Sequence, residues 1–199
     1  MKSLVGLALS LLCLNLHAGN YEAPLFSSHL SEGSFEIRDY TPMNVVQTKL
    51  PSDTKKDRNA GFMRLYGYIT GKNKGKEKIA MTIPVMMTRG VQEPTMQFVL
   101  PRNTDPIPLP SDSNVSTTSF APGWVAVIRF KGREWDSRCE KEEKELRAWL
   151  KTQALSGGTA RLAVYNEPWV LGFLRRNEIH IQLTDPISVL QERFIAQSE

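Results

Sequence analysis

Residues 61–85, GFMRLYGYITGKNKGKEKIAMTIPV, predict a helix that is followed by a strand. Four apolar residues recur at the spacing that places side chains on one helix face, namely Phe62, Leu65, Tyr66 and Ile69. From Ile79 to Val85, alternate residues are apolar, which is the period of a strand. The rest of the chain is interpreted around this change of period.

Between the predicted helix and strand lies Gly71, at a position where a helix C-terminus favours a left-handed residue. Four lysines follow it, namely Lys72, Lys74, Lys76 and Lys78. The helix therefore has an apolar face beside a cationic segment. A core helix followed by a solvated loop explains this pattern, and so does a binding surface, so the pattern alone leaves both interpretations open.

The N-terminus has the composition of a secretory signal peptide. Lys2 precedes an apolar run over residues 4–16, and small residues follow at Ala18 and Gly19. The run is shorter than a membrane-spanning helix, so we expect cleavage after Ala18 rather than an N-terminal anchor. Residues 1–18 are therefore predicted to be a signal peptide, and the mature protein is predicted to be secreted and extracellular.

The mature chain is predicted to be mildly basic and free of disulfides. The full sequence has 25 basic and 21 acidic residues, and loss of Lys2 leaves a net charge of +3. The charges are spread along the chain, so no nucleic-acid partner is predicted. Cys139 loses its one potential partner when Cys13 leaves with the signal peptide, so core burial must hold the domain together. No later segment resembles a membrane span.

The domain is expected to run from residue 34 to residue 184. Residues 19–33 are predicted to be a polar lead-in containing His29, and residues 185–199 a C-terminal tail. Within the domain, alternating segments predict strands, and Ser52 or Asp53 can cap the first helix. The expected strands cover residues 35–40, 45–50, 79–88, 95–100, 160–165 and 178–183.

Two parts of the domain repeat each other at an offset of 80 residues. Tyr40-x-Pro42-x-x-Val45 corresponds to Phe120-x-Pro122-x-x-Val125, and the helix over residues 53–70 corresponds to a helical pattern over residues 134–153. Each part is predicted as strand, proline turn, strand, helix, strand, strand, with the proline-rich residues 101–113 as connector. This order predicts a tandem duplication in one α+β domain, although a coincidence of two hairpins and two helices gives the same pattern.

The second helix has a predicted apolar stripe made of Trp135, Cys139, Leu146, Trp149 and Leu150. Glu140/Lys144 and Glu143/Arg147 are spaced as ion pairs on its other side. We expect Cys139 to pack as a small hydrophobic residue.

An apolar loop over residues 166–174 precedes the last predicted strand. It carries Trp169, Val170, Leu171, Phe173 and Leu174, and Arg175 and Arg176 follow. Loops are normally polar, so this composition indicates a binding surface. The helix face and this loop are two apolar surfaces that cations follow, which suits a flat apolar ligand carrying carboxylates.

Motifs for catalysis or metal binding are not found in the sequence. There is no phosphate-binding glycine loop, nucleophile elbow or Cys-x-x-Cys pair. His29 and His180 lie far apart, and His180 is predicted on the exposed polar face of a strand. No metal site and no catalytic residues are therefore predicted. Asn114 begins an Asn-Val-Ser sequon and is a predicted glycosylation site.

Four motifs occur in order along the chain. They are Phe35-Glu36-Ile37-Arg38-x-Tyr40, Gly61-Phe62-x-x-Leu65-x-x-Tyr68-Ile69-x-Gly71-Lys72-Asn73, Ile79-x-Met81-Thr82-x-Pro84-Val85, and Tyr165-Asn166-x-Pro168 with Arg176-Asn177-Glu178-Ile179. Together they resemble the SOUL/heme-binding-protein family, most closely its SOUL-type (heme-binding protein 2) branch. The resemblance implies a distorted β-barrel built from two βαββ-like repeats with two flanking helices. It also implies binding of heme and other tetrapyrroles between the first helix and the loop before the last strand.

Carried over by position, the implied binding residues are Arg58, Asn59, Phe62, Leu65 and Tyr66 on the helix and Trp169, Val170 and Leu171 on the loop. Arg175 or Arg176 is implied as a partner for a propionate. The chain departs from the family at Asp39, where some members have a histidine proposed as the iron ligand. Axial ligation by histidine at that position is therefore excluded.

Three functions are compatible with the sequence. We expect a secreted, monomeric, non-enzymatic protein that binds heme or metal-free porphyrin through apolar contacts and propionate–arginine pairs. One alternative is a heme-modifying enzyme, for which the sequence offers no convincing acid–base pair. Another is a protein-interaction module with a vestigial pocket.

Overall fold

The structure is a computed structural model that describes residues 21–133, 136–167 and 170–195. The predicted signal peptide, Trp135 and Trp169 lie outside these ranges. The described strands are β1 (Phe26–Glu32), β2 (Phe35–Tyr40), β3 (Met43–Lys49), β4 (Val85–Thr88), β5 (Thr95–Val99), β6 (Val115–Phe120), β7 (Gly123–Lys131), β8 (Gly157–Val164) and β9 (Arg176–Leu183). The helices are α1 (Lys55–Ile69), α2 (Asp136–Thr152) and α3 (Ile187–Phe194).

The nine strands form one curled antiparallel sheet in the order β1-β2-β7-β9-β8-β4-β5-β3-β6. The first repeat contributes β2, β3, α1, β4 and β5, and the second contributes β6, β7, α2, β8 and β9. The repeats exchange their first strands, because β2 pairs with β7 and β6 pairs with β3. This exchange and the pairing of β4 with β8 join the repeats into one sheet. The predicted α+β distorted barrel is confirmed.

The two faces of the sheet are covered differently. On one face, all three helices contribute to the large apolar cluster, through residues such as Leu65, Cys139 and Leu190. On the other face, side chains of the strands and of the N-terminal segment form two smaller clusters to which no described helix contributes. We call these the helix-covered face and the helix-free face.

The N-cap of helix α1 lies one residue after Asp53, the later of the two predicted caps. Thr54 is the N-cap, and its Oγ1 accepts a hydrogen bond from the backbone N–H of Asp57. Ser52 instead donates to the Asp57 carboxylate. After the helix, Gly71 has a φ of +108°, so the left-handed residue expected there is confirmed.

The strand predicted over residues 79–88 is shorter than expected. Only Val85–Thr88 forms β4, and the preceding residues make isolated bridges at Lys78 and Thr82. Pro84 has no N–H to donate to a ladder, and Thr82 directs its hydroxyl to the carbonyl of Val99 instead. The alternating apolar residues Ile79, Met81 and Val85 pack against the core, although the segment does not form a continuous strand.

Regular structure extends beyond both expected ends of the domain. The expected lead-in contains β1, which pairs with β2, and the expected tail contains α3, which buries Leu190. The polar composition of β1 concealed it, because β1 is an edge strand with one neighbour. In α2, Cys139 is fully buried and Arg147 pairs with Glu143, as expected. Between described residues of α2 itself, the other ion pairs are Arg138–Glu142 and Lys141–Glu145 rather than Glu140–Lys144.

Candidate functional site

One flank of α1 presents aromatic side chains at the surface. The ring of Phe62 is half-buried and lies 5.2 Å from Phe98 and 6.0 Å from Tyr66, on which it stacks. Tyr66, Met63 and Asn59 are exposed. Leu65, in contrast, is fully buried in the core and cannot line a surface groove. The helix side of the predicted site therefore keeps Asn59, Phe62 and Tyr66, and Met63 lies beside them in the sequence.

The loop before β9 exposes several large apolar residues. It contains a single turn of 3-10 helix, Gly172–Leu174, and the side chains of Leu171, Phe173 and Leu174 are 61%, 69% and 55% exposed. Val170 is half-buried. The carbonyl of Arg175 accepts a hydrogen bond from the N–H of Gly132 at 3.0 Å, which holds the loop against the end of β7. Phe173 and Leu174, which the sequence already places in the apolar loop, thus join Val170 and Leu171 of the binding set that the resemblance implies.

Strand register brings the loop and the C-terminal end of α1 to the same end of the strands in the sheet. Val85, which begins β4, pairs with Val164 at the end of β8, and Val164 pairs with Asn177 near the start of β9. The loop therefore leaves the sheet level with Val85. The N–H of Ile79 donates to the carbonyl of Ile69 at 2.8 Å. This hydrogen bond connects the end of α1 to the segment that enters β4 at the same end of the strands.

The predicted arginines are already engaged. Arg58 pairs with Asp53 at 3.2 Å, and Nε of Arg175 donates to the carbonyl of Val170 at 2.9 Å. The guanidinium of Arg176 lies 2.6 Å from Glu178 and 4.2 Å from the centre of the Tyr165 ring. Arg176 is therefore committed to the helix-free face and is poorly placed to meet a propionate.

A lysine lies close to the aromatic flank of α1. Lys78 forms a β-bridge with Thr70, and Oγ1 of Thr70 donates to the carbonyl of Tyr66 at 2.8 Å. Lys78 is exposed, and among the described residues it has no ion pair. It is a cation of the lysine-rich segment that sequence reasoning noted but did not assign to the site.

A cavity of about 250 Å³ lies on the other flank of α1, between the helix and the proline-rich connector. Its lining includes Arg64, Tyr68, Lys72 and Pro110. Met63 also lines it, and because Met63 lies three residues before Tyr66 it borders both flanks of the helix. Ligand pockets typically measure about 300–1,000 Å³, so this cavity is smaller than a drug-sized ligand requires. Asn59 and Tyr66 do not line it.

Neither histidine lies at the α1 flank. His29 is on β1, where its ring lies 4.4 Å from that of Trp124. The prediction that His180 is exposed is wrong, since it is 7% exposed and its Nε2 lies 2.8 Å from the Glu178 carboxylate. Polar and apolar residues alternate in β9, which indicates a solvated face in the sequence. In the structure β9 is a central strand, and Glu178 and His180 on its polar side are buried and pair with each other.

Glu178 is the centre of a buried polar network on the helix-free face. It is fully buried and accepts hydrogen bonds from Arg38 and from the hydroxyl of Tyr165, both at 2.8 Å. Arg38, 1% exposed, also contacts Glu36 at 2.6 Å and donates to the Tyr40 hydroxyl at 2.9 Å. Sequence reasoning missed this network because its members come from strands far apart in the sequence.

The network determines which of its groups carry charge. Burial alone raises the pKa of Glu178, but the hydrogen bond from His180 and the charge of Arg38 outweigh it and hold that pKa well below its usual value. Burial lowers the pKa of His180, which favours the neutral ring, and raises the pKa of Tyr40 to about 12. The result is an ionised carboxylate and guanidinium beside a neutral histidine.

The described residues form neither a metal-binding cluster nor a membrane-spanning helix. Within the described ranges, no group of three or more His, Cys, Asp or Glu side chains is placed to hold a metal ion. Across those same residues, the helices are too short or too polar to cross a membrane.

Solved structures share this fold at low sequence identity. A hydrolase from Listeria innocua is 12% identical, with a TM-score of 0.54, and the match covers 78% of this chain and 94% of the hydrolase. The EcmrR C-terminal domain is also 12% identical, with a TM-score of 0.55, and the match covers 76% of this chain and 98% of that domain. At this identity the similarity defines the class of fold alone.

The family model described as SOUL heme-binding protein matches residues 21–182, so the chain belongs to the SOUL family. Heme-binding protein 2 of Mus musculus is 36% identical over 112 residues, which is 50% of this chain and 53% of that protein. Heme-binding protein 2 of Homo sapiens is 34% identical over 127 residues, which is 57% of this chain and 58% of that protein. The chain thus spans little more than half the length of these curated relatives in the matched regions.

Proposed function

We propose that the protein binds heme and related tetrapyrroles between the aromatic flank of α1 and the loop before β9. The observation that carries this proposal is the exposure of large apolar side chains at both places, namely Met63 and Tyr66 on α1 and Leu171, Phe173 and Leu174 on the loop. Exposed apolar surface of this kind marks a binding site. The names of the relatives support the same class of ligand.

Apolar contact is proposed as the main source of affinity. The residues present suit the face of a porphyrin, because aromatic and aliphatic side chains lie at the surface and both described histidines lie elsewhere. Burying on the order of 300 Å² of apolar surface at about 25 cal/mol per Å² contributes roughly 7 kcal/mol before the costs of association. The ligand would supply the tetrapyrrole chemistry, and the protein would supply contact and orientation.

Cations at the margin of the site are proposed to meet the propionates. Lys78 lies next to Thr70 and Tyr66, and Arg175 sits at the end of the apolar loop. Exposed ion pairs contribute only about 0–1 kcal/mol each, so they orient the ligand more than they hold it. Lys78 replaces Arg176 in this role, because Arg176 pairs with Glu178.

Parallel titrations with hemin and protoporphyrin IX test the proposal. We expect both to bind with affinities within about tenfold of each other, since contact rather than iron ligation dominates. Substituting His29 or His180 with alanine should leave that ratio unchanged. No saturable binding of either compound would overturn the function. A hundredfold preference for hemin that one histidine variant removes would overturn the mode of binding, and hemin consumption with a reductant would indicate an enzyme.

Secretion and glycosylation belong to the same proposal. The motivation is the charged start, apolar run and small residues at positions 1–19, together with the sequon at Asn114. Asn114 is exposed in a turn directly before β6, and its amide nitrogen donates to Asp112 at 3.0 Å. Intact mass of protein from a secreting host, with and without glycosidase, should show loss of residues 1–18 and one glycan. A chain that still begins at Met1 would refute the secretion proposal.

A further inference from the structure

A small cavity on the helix-free face is lined by apolar side chains and two basic ones. Its apolar walls come from Tyr40, Met43, Met86, Phe120 and Val125, with three prolines at Pro24, Pro84 and Pro122. The basic residues are Arg161 and His180, which face each other directly on β8 and β9. This cavity lies on the opposite side of the sheet from the proposed tetrapyrrole site.

Arg161 is the unusual member of this lining. Its guanidinium lies 4.8 Å from the centre of the Phe120 ring, and among the described residues its side chain makes no ion pair or hydrogen bond. Its Nε is buried without a partner. Nearby, Arg38, Arg129 and Arg176 contact the two carboxylates of Glu36 and Glu178, so those acidic groups are already shared. A partly buried cation without an anion favours an anionic ligand.

We propose that this cavity is a binding site for a small monocarboxylate with an apolar tail, whose carboxylate pairs with Arg161. A single guanidinium matches a single carboxylate, and planar bidentate pairing is stronger than the present contact with Phe120. Burial lowers the pKa of His180 and keeps its ring neutral beside Arg161, and its Nε2 is already hydrogen-bonded to Glu178. The apolar tail would pack against Met43, Met86 and Phe120.

The ligand must displace some of the present lining. The free space is only about 20 Å³, roughly that of one water molecule. Two of the walls are methionines, whose unbranched side chains rearrange readily. Phe120 is partly exposed at the end of the edge strand β6, so it can move without opening the core. Short tails are therefore expected to enter more readily than long ones.

The methionine methyl groups provide a test that separates this site from the tetrapyrrole site. Protein labelled with ¹³C at methionine methyls is titrated with butyrate, hexanoate and octanoate, and with hexanamide as an uncharged match for hexanoate. We expect saturable shifts at Met43 and Met86 with the acids, none with the amide, and little change at Met63 on α1. Hemin should give the reverse pattern. Shifts confined to Met63 would overturn this site without affecting the proposed function.

Arg161→Met provides the decisive variant, with Arg129→Met as the matched control. Arg161→Met removes a cation that has no protein partner, so it should fold with unchanged or higher thermal stability and bind hexanoate at least tenfold more weakly. Arg129 lies on the same face but is half-exposed and faces two carboxylates, so its substitution should leave hexanoate affinity unchanged. Equal hexanoate affinity in Arg161→Met and wild type would overturn the proposal, as would shifts with the amide equal to those with the acid.

Discussion

The two faces of the sheet handle polar and apolar side chains in opposite ways. Next to the helices, large apolar residues such as Phe173 and Met63 reach the surface, and the core beneath is mainly apolar. On the helix-free face, Glu178 and Arg38 are buried at 0% and 1% exposure while their network is closed by other protein groups. The first arrangement leaves apolar surface available to a ligand. In the second, the charged side chains pair with each other and stabilise the fold. Arg161 is the exception on the second face.

The largest expected effect is the loss of charge at the centre of the buried network. Glu178→Gln keeps the shape of the side chain but leaves Arg38 buried with only Glu36 opposite it. Removing one partner of a buried ion pair costs about 3–5 kcal/mol, and the remaining Glu36 places our expectation near the lower end. Urea unfolding monitored by circular dichroism gives the change in the free energy of unfolding.

Glu145→Gln is the control for that measurement. Glu145 pairs with Lys141 on α2 at 3.6 Å, and both side chains are exposed. The expected loss is at most about 1 kcal/mol. Equal losses at Glu145 and Glu178 would show that burial does not distinguish the two ion pairs.

The order of elements could be predicted from sequence because it rests on local patterns. The period of residues 61–69, Gly71 and the repeated proline turns all report the conformation of a few neighbouring residues. The exchange of β2 and β6 between the repeats could not be predicted, because strand pairing is a long-range choice. The late start of β4, after Pro84, has a local cause in the missing N–H of proline, which the alternation of apolar residues conceals.

Part of the candidate site could also be predicted, because it too rests on a local pattern in the sequence. An apolar loop is anomalous in the sequence itself, so Leu171 and its neighbours could be identified without a structure. Leu65 could not be separated from Phe62, because both lie on one helix face and only packing shows which is covered. Burial of Glu178 and His180 needs the positions of β2, β7 and β8, which are distant in sequence.

The second largest expected effect is a loss of ligand affinity when the exposed apolar surface of the loop before β9 is changed. Leu171→Asp should weaken hemin and protoporphyrin together by at least tenfold, about 1.4 kcal/mol, because a charge replaces an apolar contact and repels the propionates. Leu109→Asp is the matched control, since Leu109 is 63% exposed but lies on the proline-rich connector. Both variants should unfold at the wild-type temperature. If Leu109→Asp weakened binding more than Leu171→Asp, the ligand would lie on the other flank of α1.

The third effect is a pH dependence that arises on the helix-free face. Burial lowers the pKa of His180 in the folded protein, with Glu178, Arg38 and Arg161 as the charged groups that act on it. Below about pH 6.5 the unfolded chain binds a proton that the folded protein does not, so stability falls by up to about 1.4 kcal/mol per pH unit. Glu178 has a lowered pKa, so its contribution is lost only at more acidic pH, below about 4.5.

His180→Gln isolates the histidine contribution. Glutamine can still donate a hydrogen bond to Glu178, but it does not titrate. Urea unfolding at pH 5, 6, 7 and 8 should therefore show a smaller loss of stability between pH 6.5 and pH 5 in the variant than in the wild type. Identical slopes in the two proteins would mean that His180 is not held neutral by its surroundings.

The smallest effect is expected at Glu93, which belongs to an exposed ion pair as short as a buried one. Lys49–Glu93 and Arg38–Glu36 both have a nitrogen–oxygen distance of 2.6 Å, but the first pair is 73% and 70% exposed and the second is 1% and 12% exposed. Water and salt screen the first pair, so Glu93→Gln should leave the unfolding temperature unchanged within error. Glu36→Gln removes a charged hydrogen bond to a buried guanidinium and should cost about 1.5–3 kcal/mol. Thermal unfolding of both variants at low and high salt gives the comparison. If Glu93→Gln lowered the unfolding temperature as much as Glu36→Gln, the distance between the charged atoms rather than their burial would determine the strength of these pairs.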